Sequence, residues 1–196
     1  MSCSDHLIGV DEAGVGCLFG DLVAAAVVLP LPLPSSLSQL ADSKKLSRTK
    51  REALAEEIKR HCQVGIGTLT SQEINRIGLG AARNHIFHLA LDDLLPRLNL
   101  NGTYEIIVDG TIFSKYRNFK HSCIPKADSL YACVSAASIV AKTARDKTMR
   151  EWCALNPSIT QIYDLDHNMG YITPKHKSGI RSNGMLPEHR NYAVKL

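Results

Sequence analysis

Asp11 and Glu12 stand side by side at the end of a short apolar run, His6–Val10, and Gly14 and Gly16 follow at once. Two adjacent carboxylates repel, which raises the pKa of one of them unless a cation neutralises the pair, so they point to a metal or to a solvated turn. The glycines let the backbone turn sharply and come close to a ligand. Asp109 repeats the arrangement: the apolar run Ile106-Ile107-Val108 delivers a carboxylate, and Gly110 follows it. Asp128 precedes a stretch rich in small residues, where its ordinary role is a helix N-cap accepting a backbone N–H, a role compatible with metal binding. If a sheet brings these element ends together, the four acids make the all-oxygen donor set that hard divalent ions such as Mg²⁺ or Mn²⁺ require. Spacing alone does not show that convergence.

Charge supplies a second signal. The chain carries a formal net charge of +4, and its basic residues gather in groups. Lys44, Lys45, Arg48, Lys50 and Arg51 form one, Lys115, Arg117 and Lys120 a second, Lys142, Arg145 and Lys147 a third, and Lys175, Lys177 and Arg181 on to Arg190 and Lys195 a fourth. Such groups suit a polyanionic partner if they share a face, and are solvated helix surfaces if they do not. His85 and His88 have no Cys, Asp or Glu at ligand spacing and read as surface or satisfied residues. The six cysteines include no C-x-x-C pair, so they read as small apolar fillers of a reducing compartment.

The elements that must position these residues emerge from apolar periodicity. His6–Val10 and Leu22–Leu29 read as two strands, paired antiparallel, the second stopped by Pro30, Pro32 and Pro34. Ser47 caps a helix whose seam is Leu54 and Ile58, a third strand covers Gln63–Leu69, and Ser71 caps a second helical stretch running to Pro96. Glu105–Gly110 is a fourth strand. From Ser129 a long helix carries Ala132, Ser135, Ala136, Ala137 and Ala141, small enough to let it lie close to a sheet. The remainder of the chain is polar, broken by Gly and Pro, and reads as short helical pieces.

With 196 residues, 44% of them hydrophobic and 21% charged, the chain is an ordinary folded domain with a small appendage, not a disordered one. The apolar run Leu22–Leu33 falls short of the ~20 residues of a membrane helix. The N-terminus lacks a basic, then apolar, signal pattern, so a soluble cytoplasmic protein with no membrane partner is expected.

Several strings taken together resemble the ribonuclease HII family: GVDEAGVG at Gly9–Gly16, ADSKKLSRTKRE at Ala41–Glu52, IIVDG at Ile106–Gly110, KADS and AASIVAKTARD within Lys126–Asp146, GYITPKH at Gly170–His176, and His189-Arg190. They occur in order over nearly the whole chain. The resemblance implies an α/β ribonuclease H-like fold, a mixed five-stranded sheet flanked by helices, with a catalytic domain over residues 1–150 and a helical C-terminal extension over 151–196 packed on it. It implies a monomeric endoribonuclease acting on the RNA strand of RNA–DNA hybrids and at ribonucleotides embedded in duplex DNA, with two divalent ions, Mg²⁺ or Mn²⁺. The family's metal acids map onto Asp11, Glu12, Asp109 and Asp128. Gly14, Val15 and Gly16 map onto the loop that reads the 2′-hydroxyl, Tyr171 onto a tyrosine that stacks on a sugar, and Lys44, Lys45, Lys142 and Arg145 onto phosphate contacts.

Where the family usually has arginine between the two glycines and proline after them, this chain has Val15 and Cys17. Gly78 and Met169 also depart from the pattern, as does the NYAV ending after Arg190. A hybrid-binding protein with impaired catalysis, motivated by Val15, is the alternative reading. The ending shows no glutamine-plus-aromatic motif, so no sliding-clamp partner is expected.

Overall fold

The structure is a computed structural model and describes residues 6–38, 40, 46–98 and 102–191. Five strands form one mixed sheet in the order β3-β2-β1-β4-β5. β1 (His6–Ala13), β2 (Leu22–Val28) and β3 (Gln63–Leu69) are antiparallel neighbours, while β4 (Tyr104–Asp109) and β5 (Lys120–Ile124) run parallel to β1. β1 is longer than its apolar run. Pairing with β2 continues through Asp11↔Ala25 and Glu12↔Ala24 to Ala13↔Val23, so the two acids are strand residues and not turn residues.

Alternation along β1 assigns the sheet faces. Ile8 and Val10 point into a core built with α2 (Ser71–Ile77) and α3 (Leu79–Leu94), where Ile86, Phe87 and Leu91 are fully buried. The opposite face carries α1 (Arg48–His61) and the long α4 (Ala132–Leu155), whose Ala136, Ala137 and Ala141 pack with Ala25 and Val27 of β2. The small-residue helix does lie close to the sheet. A Cβ added to Gly9 would sit 2.2 Å from the Cys133 carbonyl carbon, so only glycine admits this approach.

Beyond α4 come α5 (Pro157–Tyr163), α6 (Leu165–Asn168) and α7 (Pro174–Asn183). They surround a third apolar cluster that joins Leu18 and Phe19 to Met149, Tyr163 and Ile180. α4 runs through residue 150, so the segment beyond it grows directly from that helix.

Three local expectations need correction. The helical stretch from Ser71 to Pro96 is two helices, parted at Gly78, whose φ of 82° ends α2. Thr70, not Ser71, caps α2, in a reciprocal capping box with Glu73. Asp128 does not cap α4: it lies in a 3-10 turn, Ala127–Ser129, and Tyr131 occupies the N-cap position. β5 went unread because Lys-His-Ser-Cys-Ile is a polar, half-buried edge strand with no apolar alternation to betray it.

Candidate active site

Asp11, Glu12 and Asp109 stand toward the C-terminal ends of the parallel strands β1 and β4, the end at which open α/β sheets receive ligands. Val10 pairs with Val108, so Asp11 and Asp109 stand in adjacent positions on neighbouring strands. Asp109 Oδ1 accepts from the Ala127 amide at 2.7 Å, which ties the 3-10 turn to the strand end and sets Asp128 in the next position. Strand alternation sends Asp11 to the α4 face, where Ser138 hydrogen-bonds it, and Glu12 to the α3 face, where Arg83 Nη2 lies 2.9 Å from Glu12 Oε1.

Asp11 is 6% exposed. Burial, then the negative charges of Glu12 and Asp109, push its carboxyl up to about 7, against the opposing pull of Ser138 and of the Glu12 amide, which donates to Asp11 Oδ1 at 2.8 Å. Burial also raises Glu12, with Arg83 opposing. A carboxylate buried like Asp11 beside two further, partly exposed acids is costly without a cation, and such oxygen donors match hard divalent ions. Among the described residues, the one set of three or more candidate ligand atoms mutually within 4.8 Å lies elsewhere, at Asp164, Asp166 and His167. There the Lys175 ammonium already sits 2.6 Å from Asp164 Oδ1.

Beside the acids, Gly14 to Cys17 forms a turn closed by the Cys17 amide on the Gly14 carbonyl at 3.2 Å. Tyr171 lies against it through a backbone bridge between Cys17 and Tyr171, its ring partly exposed. The Lys142 ammonium is 5.5 Å and the Arg145 guanidinium carbon 5.7 Å from the centre of that ring.

A family model described as ribonuclease HII matches residues 8–195. Ribonuclease HII of Novosphingobium aromaticivorans is 41% identical, covering 93% of this chain and 92% of the relative. The chain belongs to the ribonuclease HII family. It is an endoribonuclease of the phosphodiester hydrolase class. Ribonuclease H2 of Pyrococcus horikoshii superposes with a TM-score of 0.76 at 25% identity, covering 94% of this chain and 92% of that one. A ribonuclease HII from Archaeoglobus fulgidus, solved in complex with PCNA, gives 0.74 at 25% identity, covering 97% and 96%. The five-stranded mixed sheet with flanking helices is the ribonuclease H-like fold.

Within this ribonuclease HII chain the two loop glycines are not equivalent. Gly14 has φ of 98°, and an added Cβ would lie 2.9 Å from Arg145 Nε and 3.0 Å from the Asp21 carbonyl oxygen, so the fold itself requires glycine. Gly16 is exposed, and its added Cβ would meet only Tyr171 Cε1, at 4.0 Å. Nothing among the described residues demands glycine there. Val15 packs its side chain against the α3-face core.

Arg145 is a correction. Expected at a phosphate, its side chain is fully buried, with Nη2 donating to the Phe19 carbonyl at 3.2 Å, so it braces the turn from beneath. Lys142 remains half-exposed and is held 2.8 Å from Asp146 Oδ1. Lys44 and Lys45 lie outside the described residues, as does most of the NYAV ending. No helix of the described residues is long and apolar enough to cross a membrane. Arg83 and Ser138 went unnoticed in the sequence: each meets its acid only through the packing of a distant helix on β1.

Proposed function

We propose that this chain hydrolyses the RNA strand of RNA–DNA hybrids and cuts at ribonucleotides embedded in duplex DNA, leaving 3′-hydroxyl and 5′-phosphate ends, with two divalent cations, Mg²⁺ or Mn²⁺. The observation that carries this reading is the buried Asp11 carboxylate next to Glu12 and Asp109, which burial and like charge push up to about 7. Asp11, Glu12, Asp109 and Asp128 would hold the cations. When bound, such a pair activates the attacking water and stabilises the leaving oxygen.

The chain's own residues orient the rest. Ser138 and the Glu12 amide hold Asp11, the Ala127 amide holds Asp109, and Arg83 holds Glu12. The exposed main chain at Gly16, free of a side chain, is suited to contact a 2′-hydroxyl, the group that separates RNA from DNA. Tyr171 offers a ring face to a sugar, and Lys142 at its side offers a cation to a phosphate.

Cleavage of two labelled duplexes, one carrying a single ribonucleotide and one a continuous RNA strand, tests the proposal with Mg²⁺ and then Mn²⁺. Cuts in both substrates, absent when the metal is chelated, are expected. Binding to both without cleavage under either metal would overturn it in favour of the hybrid-binding alternative.

A further inference from the structure

We propose that His176 and His189 form a buried, directional hydrogen-bond relay that positions Tyr171, and that Arg190 ties the same segment to the Gly14 turn. Together they would fix the spacing between the two substrate-facing elements. The inference rests on the reading of Tyr171 and Gly16 as substrate contacts. These three are positioning residues, since each acts through another group.

His176 and His189 are 0% and 2% exposed, and Arg190 is 0% exposed. The Leu186 amide lies 2.8 Å from His189 Nδ1. An amide N–H only donates, so Nδ1 must carry its lone pair and the proton of a neutral His189 sits on Nε2. That nitrogen is 3.1 Å from His176 Nε2, which must therefore accept, placing the His176 proton on Nδ1. Nδ1 lies 2.9 Å from the Tyr171 carbonyl, which only accepts. One pair of neutral tautomers thus satisfies every contact, from an amide donor at one end to the Tyr171 carbonyl at the other. Burial pushes both imidazoles down, which keeps them in these neutral forms.

Arg190 continues the chain from the relay to the turn. Its amide donates to the Leu18 carbonyl at 2.7 Å, its Nε to Gly20 at 2.9 Å and its Nη1 to Gly14 at 2.6 Å. Asn75 of α2 brackets the segment, donating to the His189 carbonyl at 2.9 Å and accepting from the Asn191 amide at 2.8 Å. Two adjacent residues thereby reach both substrate-facing elements: His189 holds Tyr171 through His176, and Arg190 holds the carbonyls of the turn.

A double-mutant cycle tests the relay. His176→Ala and His176→Asn are each made with Tyr171 intact and with Tyr171→Ala, and kcat/KM is measured on the single-ribonucleotide duplex. With Tyr171 intact, His176→Ala should lower kcat/KM roughly ten-fold, within the range of coupling between contacting residues. In the Tyr171→Ala background it should change kcat/KM by less than about two-fold, since the ring through which His176 acts is gone and the two losses are then non-additive. His176→Asn keeps a donor near the position of Nδ1 and should recover part of the loss. Equal losses in both backgrounds, or no loss with Tyr171 intact, would overturn the proposal.

If Tyr171→Ala alone leaves kcat/KM unchanged, the substrate reading of Tyr171 fails, and hydrogen exchange then decides the relay separately. The probes are the Leu18 and Phe19 amides, both donating to the Gly170 carbonyl. Faster exchange at these two amides in His176→Ala, with α3 unchanged, supports the relay; unchanged exchange overturns it.

Discussion

Replacing Asp11 with Asn should stabilise the metal-free protein at neutral and alkaline pH while destroying its activity. The folded state holds the Asp11 carboxyl at about 7, against an ordinary value of 3.8. Between those values the folded protein keeps a proton that the unfolded chain releases, so the wild type loses stability as pH rises from about 4 to 7 and no further above it. At about 1.4 kcal/mol per unit, the shift of roughly three units sets a ceiling of about 4 kcal/mol. Relaxation of the neighbouring carboxylates and water entry reduce it, and about 2 kcal/mol is the working figure. The asparagine amide carries no titrating proton, so the variant's advantage should be absent near pH 4 and complete by pH 8. For a chain of this length, about 2 kcal/mol corresponds to roughly 4–8 °C in Tm.

Thermal melts of wild type and Asp11→Asn in chelator, at pH 4.5, 6 and 8, measure this difference directly. His176 and His189, whose pKa values are pushed down by burial, give the opposite slope, with stability lost as pH falls below their unfolded value near 6.5. They do so in both proteins and cancel in the comparison. Added Mg²⁺ should then raise the wild-type Tm more than that of the variant. A variant no more stable than wild type at pH 8 would refute the argument that burial and like charge strain Asp11.

Asp109→Asn should also abolish hydrolysis while leaving hybrid binding within a few-fold, because the amide keeps its shape but loses the metal-binding charge; wild-type turnover at saturating Mg²⁺ would count against the site. Gly14→Ala should lower Tm and activity together, whereas Gly16→Ala should leave Tm unchanged and lower kcat/KM on ribonucleotide-containing duplexes; unchanged activity in Gly16→Ala would remove the turn from substrate recognition. Duplex binding should weaken with salt, each neutralised phosphate adding ~0.9 to the log–log slope, with little dependence on base sequence; a slope near zero would contradict phosphate tracking.

What the sequence disclosed and what it hid divide along one physical line, the reach of the interaction. β1 to β4 were readable because apolar runs and prolines are local signals, and α1 because Ser47 caps it by accepting from the Lys50 amide. Gly78 hid the break between α2 and α3 because the apolar spacing continues across it. Asp11, Glu12 and Asp109 drew notice as carboxylates that end an apolar run, and Asp128 as the acid before the small-residue stretch, while only the family resemblance joined the four into one set. Arg145 misled because a cation in a basic cluster looks solvated, and only the folded chain brings the Phe19 carbonyl, 126 residues away, to its guanidinium. Arg83 meets Glu12 across a separation of 71 residues, and Arg190 reaches Gly14 across 176. Two of these hidden contacts join a cation to β1 or to the Gly14 turn, and the third joins one to the segment just beyond that turn. The acids could therefore be singled out as candidates, but their restraint could not: β1 places Asp11 and Glu12 side by side, and Ser138 of α4 and Arg83 of α3 hold that pair against its own repulsion.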